Sequence, residues 1–273
     1  MRRRTFFKRL FAYILGLSGL IVLDAFWFEK YIIQWTDFDL SDGGQEKIKL
    51  VQLSDIHLRE VHSALTSIAE KVNDLMPDAL LFTGDTITRK SRLNLLNEYL
   101  GLFDDKIPKI FIYGNKEYSG KVPLEDFKTI VKRYNGIVLI NQNYELIKGH
   151  RKINILGIDD FVGGNADFAK SISTLNDKSL ETVVLNHCPE YSDTIGEQNS
   201  EQYLNIKCIL SGHTHGGQIT FFGKELFKPA GSGIYLKGWY KTKEISMYVS
   251  KGIGTTILPI RFWARAEASI FYI

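Results

Sequence analysis

Cysteine is nearly absent. Cys188 and Cys208 are the only two among 273 residues, and they show no CxxC spacing. A scaffold built on many disulfides is thereby excluded; the two could pair as one disulfide, but two buried free thiols are expected. No internal repeat and no low-complexity linker interrupts the chain. There is no general excess of positive charge. The net charge is +3, and Arg2, Arg3, Arg4, Lys8 and Arg9 alone supply five positives, so the remainder nets −2. A nucleic-acid footprint is therefore not expected, and no obligate protein partner is evident. What remains is a globular composition, 44% apolar and 24% charged, with enough chain for one large domain.

The one long apolar run is N-terminal. It extends from Leu10 to Leu23, is interrupted by Asp24 and resumes as Ala25-Phe26-Trp27-Phe28. That length is marginal for crossing a bilayer. Arg3-Arg4-Thr5-Phe6-Phe7-Lys8 resembles a twin-arginine export signal, but no A-x-A cleavage site follows. Residues 1–36 are expected to form a retained membrane anchor or signal-like segment, placing the protein at a bacterial inner membrane. The basic flank argues that the N-terminus stays cytoplasmic and the domain lies outside. An interfacial helix with Trp27, Tyr31 and Trp35 at the headgroups would put the domain on the other face. The side is left open.

Residues 47–273 are expected to form the domain. Apolar runs at Ile48–Leu53, Ala79–Phe82 and Ile110–Tyr113 read as strands, and helical stretches follow each. In the first helix Leu65, Ile68, Val72 and Leu75 share one face; in the third Leu124, Phe127, Ile130, Val131 and Tyr134 are in register. Gly136 to Phe161 reads as strands joined by turns. A helix near Ala166–Leu175, a strand at Thr182–Leu185 and a strand at Ile206–Leu210 follow. Alternating strands and helices imply a parallel sheet, and the strand-rich second half implies a second sheet packed on it. The expected fold is an α/β sandwich of two sheets flanked by helices.

Every polar cluster falls just after an apolar strand, where ligands bind in open α/β sheets. These are Asp55 and His57, Asp85, Asn115, His187, and His213 with His215. Two carboxylates, one carboxamide and four imidazoles suit Mn, Fe or Zn, whereas Mg or Ca would favour oxygen alone. Seven donors exceed one tetrahedral site and fit two metals sharing a carboxylate, the usual clamp for attack on phosphorus. His213 and His215 are two residues apart beyond one strand; on a regular strand they share a face, so both rings could point into one pocket.

The ordered set Asp55-Ile56-His57, Gly84-Asp85, Gly114-Asn115-Lys116-Glu117, His187 and Gly212-His213-Thr214-His215 resembles the calcineurin-like metallophosphoesterases. Gly216-Gly217-Gln218, the run from Tyr248 to Gly252 and Pro259-Ile260-Arg261 resemble a membrane-associated or exported bacterial branch. That branch includes envelope phosphodiesterases and a UDP-2,3-diacylglucosamine diphosphatase of lipid A synthesis. The resemblance implies a four-layer αββα sandwich and two divalent ions, with Mn the first choice. It also implies a division of ligands. Asp55, His57 and His215 would hold one ion, Asn115, His187 and His213 the other, and Asp85 would bridge them. Asp85, Lys116 and His187 are the expected catalytic residues.

The sequence departs from the family at Lys116, where histidine is usual. An unperturbed lysine, with pKa about 10.4, is a poor general acid at neutral pH but a good point charge for phosphate. A phosphate leaving group, with second pKa about 6, needs little protonation. The related diphosphatases carry arginine at this position. Lys116 therefore points to hydrolysis of a diphosphate in a lipid-linked nucleotide such as UDP-2,3-diacylglucosamine. A phosphodiesterase or phosphomonoesterase of other specificity, and a non-catalytic metal-binding module, are the alternatives. Arg59 could reach phosphate or lie in solvent. Gln218 could shape the pocket or pack. Tyr235, Trp239 and Tyr240 could line a sugar or acyl site but are expected to pack, and His62 and His150 are read as surface residues.

Overall fold

The computed structural model describes residues 3–44, 46–222 and 224–273. The first half runs β1 (Gln34–Asp39), β2 (Lys49–Leu53), α3 (Ser63–Leu75), β3 (Ala79–Thr83), α4 (Leu93–Leu100) and β4 (Lys109–Ile112). Ahead of β1 lie α1 (Arg3–Leu23), a π-helical turn at Asp24–Phe28 and α2 (Glu29–Tyr31). After β4 come α5 (Asn115–Ser119), α6 (Leu124–Arg133), β5 (Gly136–Val138), β6 (Gln142–Lys148), β7 (Arg151–Gly157) and α7 (Phe168–Ser173). The chain then continues through β8 (Thr182–Leu185), α8 (Tyr191–Gln202) and β9 (Ile206–Ser211). It closes with the hairpin β10 (Thr220–Phe221) and β11 (Lys224–Glu225), then β12 (Gly238–Thr242), β13 (Ile245–Val249) and β14 (Glu267–Tyr272).

Two six-stranded sheets result, in the orders β1-β14-β2-β3-β4-β5 and β12-β13-β9-β8-β7-β6. Strands β2 through β5 are mutually parallel, as are β7, β8 and β9. Their C-terminal ends therefore meet at one edge of the sandwich. Alternation along each strand divides the apolar residues between two faces. Leu50, Leu81, Ile110 and Ile112 of the first sheet meet Val183, Leu185, Cys208 and Leu210 of the second in an inner layer. Val51, Leu80, Phe82 and Phe111 face outward onto Leu65, Ile68 and Val72 of α3, Tyr99 of α4 and Phe127 of α6. Leu156, Val184 and Ile209 pack on Phe168 and Ile172 of α7 and on Ile195 of α8. The order of layers is helix, sheet, sheet, helix, as the sequence implies.

Strand β1 and helix α8 are among the elements absent from the sequence reading. Strand β1 adds to the first sheet by pairing in parallel with β14, so sheet structure begins before residue 47. Helix α8 has almost no apolar stripe; Tyr191 and Ile195 are its buried large side chains. At the other end of the chain, no residue of α1 is buried. The helical stretch Arg3–Tyr31 is long and apolar enough to cross a membrane, with mean hydropathy 1.9 in its most apolar window. Glu29 fixes its end. The carboxylate accepts from Trp263 N (2.8 Å) and Ala264 N (2.9 Å), and the Glu29 carbonyl accepts from Ala266 N.

Candidate active site

All seven expected donors converge beyond the ends of β2, β3, β4, β8 and β9. Six of them are buried, and Asn115 is half-buried at the start of α5. Asp55, His57, Asp85, His213 and His215 adopt left-handed backbone, with φ between 48° and 72°. Such conformations are uncommon outside glycine and cluster at functional sites. They also replace the regular-strand geometry expected for the histidine pair, although both rings do line one cavity. Strand β9 ends at Ser211, and the left-handed turns beyond it send His213 and His215 to different partners rather than along one strand face.

The first group is Asp55, His57 and His215. His57 Nε2 lies 2.9 Å from His215 Nε2, and His215 Nε2 lies 3.5 Å from Asp55 Oδ1. Ser54 Oγ (2.6 Å) and His213 N (2.9 Å) both donate to Asp55 Oδ2. Oδ1 is left buried with no hydrogen-bond partner. A buried acceptor is rarely left so, and here it faces two imidazole nitrogens. The second group is His187, His213 and Asn115. His187 Nε2 lies 3.3 Å from His213 Nδ1 and 3.4 Å from Asn115 Oδ1. His187 Nδ1 donates to Thr83 O (2.8 Å), and His213 Nε2 donates to Ala230 O (2.7 Å). Those carbonyls fix the ring orientations and turn His187 Nε2 and His213 Nδ1 toward each other, the atoms through which each ring could bind a metal.

Asp85 touches both groups. Its Oδ1 lies 3.4 Å from His187 Nε2 and accepts from Lys116 N (2.8 Å), while its Oδ2 lies 3.6 Å from His57 Nε2. Glu117 holds the loop beneath it by accepting from Asp85 N, Gly114 N and Ile87 N at 2.9–3.0 Å. Gly84 has φ +91°, and a Cβ there would strike the His187 ring; one at Gly114 would strike Asp85 and His187. Backbone must pass this close for the two groups to meet.

Burial holds the His57 and His213 imidazoles down to about 4, and His215 well below its ordinary value, so all three are neutral. Burial also lowers His187, but Asp85 and Asp55 outweigh it and raise its proton affinity well above the usual. That attraction for positive charge is equally available to a metal cation. Burial pushes Asp55 up, and it pushes Glu117, with help from Asp85, up to about 8. For Asp85, burial is outweighed by His187 and His57, which hold the carboxyl below the usual range. Cys188 sits near His187 and His213. Burial and Asp160 keep its thiol protonated, and it donates to Asp160 Oδ1 (3.1 Å). The orphaned Asp55 oxygen, the facing imidazole nitrogens and the mixed N and O donors fit divalent transition metal ions.

Four of the donors, Asp85, Asn115, His213 and His215, open onto a cavity of about 300 Å³. Its lining combines the polar Asp85, Asn115, Lys116, His213 and His215 with the apolar Ile219, Leu226, Phe227, Pro229, Ile257 and Leu258. Gln218 braces the apolar part of the lining. It accepts from Thr256 N and Oγ1 and donates to Leu258 O.

The sequence model of the calcineurin-like phosphoesterase family matches residues 48–217. The chain belongs to this family. It is accordingly a metal-dependent phosphoesterase. It is 29% identical to the uncharacterized metallophosphoesterase YkuE of Bacillus subtilis, over 99% of this chain and 97% of that one. A transmembrane protein with a metallophosphoesterase domain from Danio rerio is 30% identical over 81% of this chain and 52% of its own. Among solved structures, TT1561 of Thermus thermophilus shares the fold, with TM-score 0.53 and 10% identity, over 76% of this chain and 91% of that one.

Several other residues fall elsewhere than the sequence suggests, or were not singled out. Arg59 is turned from the cavity and donates to Thr255 O and Thr256 O. Tyr235 and Tyr240 pack on one another, and Trp239 packs on Phe38 and Tyr248, so the packing expectation holds. His150 is exposed, but His62 is half-buried under Tyr31 rather than on the surface. Cys188 and Cys208 are buried and free. Glu117 was visible in the Gly114–Glu117 motif, though only its carboxylate geometry gives it a role. Arg261 was not singled out for any role. It is fully buried, donates to Gly254 O and Ala264 O, and reaches within 3.3 Å of His215 Nδ1.

Proposed function

We propose that the protein is a two-metal phosphohydrolase working at a membrane on a lipid whose headgroup carries a diphosphate. The observation that carries this reading is the mixed lining of the cavity, which joins a lysine and candidate metal-ligating groups to aliphatic and aromatic side chains. Such a site suits an amphiphile with a phosphate beside an apolar group.

Asp55, His57 and His215 would hold one divalent ion, Asn115, His187 and His213 the other, and Asp85 would be shared, since its two oxygens already face the two groups. Mn is the first choice of ion. The ion pair supplies Lewis acidity for attack of water on phosphorus. His187 and His213 are oriented by Thr83 O and Ala230 O, so little reorganisation is needed at the moment of reaction. Glu117 positions Asp85 through the backbone. Lys116 lines the cavity at the N-terminus of α5, where its ammonium can meet the leaving phosphate. Leu226, Phe227, Ile257 and Leu258 would receive the apolar part of the substrate and exclude water.

Anchoring through Arg3–Tyr31 fits a lipid substrate. The zebrafish relative's name carries the word transmembrane. A bacterial inner membrane is the proposed location, with the basic N-terminus cytoplasmic. UDP-2,3-diacylglucosamine is the first compound to test. Purified full-length protein with Mn should release UMP from it faster than it hydrolyses bis(p-nitrophenyl) phosphate. Turnover of the small diester with no release of UMP would eliminate this substrate.

A further inference from the structure

Outside α1, a group of exposed large apolar residues lies on and beside the segments that line the cavity. Phe222 is 91% exposed and Ile257 81%, and Leu226, Phe227, Leu258 and Trp263 are exposed beside them. Phe222 packs edge-on against Trp263 at 5.2 Å. Leu226, Phe227, Ile257 and Leu258 also line the cavity, so the apolar lining continues onto the outer surface. A contiguous exposed apolar surface of this kind marks an interaction site. Between Ile219 and Trp239 the sequence carries three lysines, Lys224, Lys228 and Lys237, and one acid, Glu225. Apolar and aromatic side chains among lysines suit an anionic lipid surface.

The rim is tied to the end of the apolar helix. Arg261 N donates to Ala25 O (3.0 Å), and Trp263 N donates to Glu29 Oε1 (2.8 Å). The Arg265 guanidinium lies 4.7 Å from the centre of the Phe28 ring. Glu29 is two residues beyond exposed Trp27, about 3 Å along the axis at ~1.5 Å per residue. Tryptophan prefers the headgroup level. Trp27 at that level puts Trp263, and Phe222 beside it, at nearly the same depth.

We propose that this rim rests in the headgroup layer beside the helix, with the cavity mouth facing the bilayer. A phosphate-headed lipid then enters along the apolar lining without leaving the membrane. The proposal rests on the membrane reading of the helix and adds the orientation of the domain.

The test uses the full chain with Phe222→Cys carrying an environment-sensitive dye; Cys188 and Cys208 are buried and should not compete for label. The control is Lys178→Cys, exposed in the loop before β8 and so at the opposite end of the sheets from the cavity. Both are mixed with phosphatidylcholine and phosphatidylglycerol vesicles containing nitroxide lipid. The protein should float with the vesicles, and the dye at 222 should be quenched severalfold more than the dye at 178. Phe222→Ser should slow hydrolysis of a vesicle-embedded lipid substrate while leaving bis(p-nitrophenyl) phosphate turnover unchanged, and Phe222→Trp should restore it. Flotation with no extra quenching at 222 overturns the orientation and spares the anchor. Failure to float overturns both, and hydrolysis of the soluble diester would still stand for the metal site.

Discussion

At Asp85 the two halves of the site meet. One carboxylate faces His187 through one oxygen and His57 through the other, so no other single side chain should be as costly to remove. Asp85→Ala should bring hydrolysis to background while the fold is retained by circular dichroism; wild-type turnover in that variant would refute the arrangement. Glu117 acts one step back. In Glu117→Gln one backbone N–H would face an amide NH2, and such second-tier changes cost about 10–100-fold in metal affinity, measurable by competition with a chelating dye. Lys116→Ala removes a cation from the cavity wall. A charged hydrogen bond is worth about 1.5–3 kcal/mol, so kcat/KM on a diphosphate substrate should fall roughly 10–100-fold, with little change on a neutral-leaving-group diester. Equal losses on both substrates would remove Lys116 from leaving-group binding. The identities of the donors were legible because each follows an apolar strand. Their left-handed backbones were not, since φ depends on how the loops close over one another.

At the scale of elements, the parallel strands and their helices were readable from alternation and from the 3.6 period, because burial imposes both. Strand β1 was hidden because Gln34–Asp39 is polar and edge-lying, with no fully buried residue. Helix α8 was hidden because contacts with α7 and β12 hold it, rather than a stripe of its own. The strands set the positions of the loops, which leads to two expectations. Leu185 packs in the inner layer two residues before His187, and Leu185→Ala should cost about 2–5 kcal/mol in denaturant unfolding. Gly114→Ala has a different cost. Its Cβ would meet Asp85 and His187, so metal binding should weaken more than stability falls. A drop in stability with metal content unchanged would contradict that account.

At the scale of the molecule, the end of the apolar helix, the segment 261–266 and the cluster of candidate metal ligands are physically continuous. Ala25 accepts from Arg261, whose guanidinium reaches His215. The sequence announced an anchor and a phosphoesterase separately, and their connection through buried Arg261 had no signature in composition or spacing. On the proposed reading the chemistry rests on two divalent ions sharing one carboxylate. The most direct measurement is a Mn titration of chelator-stripped full-length protein, following bound metal and phosphodiester hydrolysis together. Activity should rise from zero and saturate as the seven donors fill with two ions per chain, and Asp85→Ala should neither fill nor turn over. Full turnover in the stripped protein, or saturation at a single ion, would contradict the two-metal site.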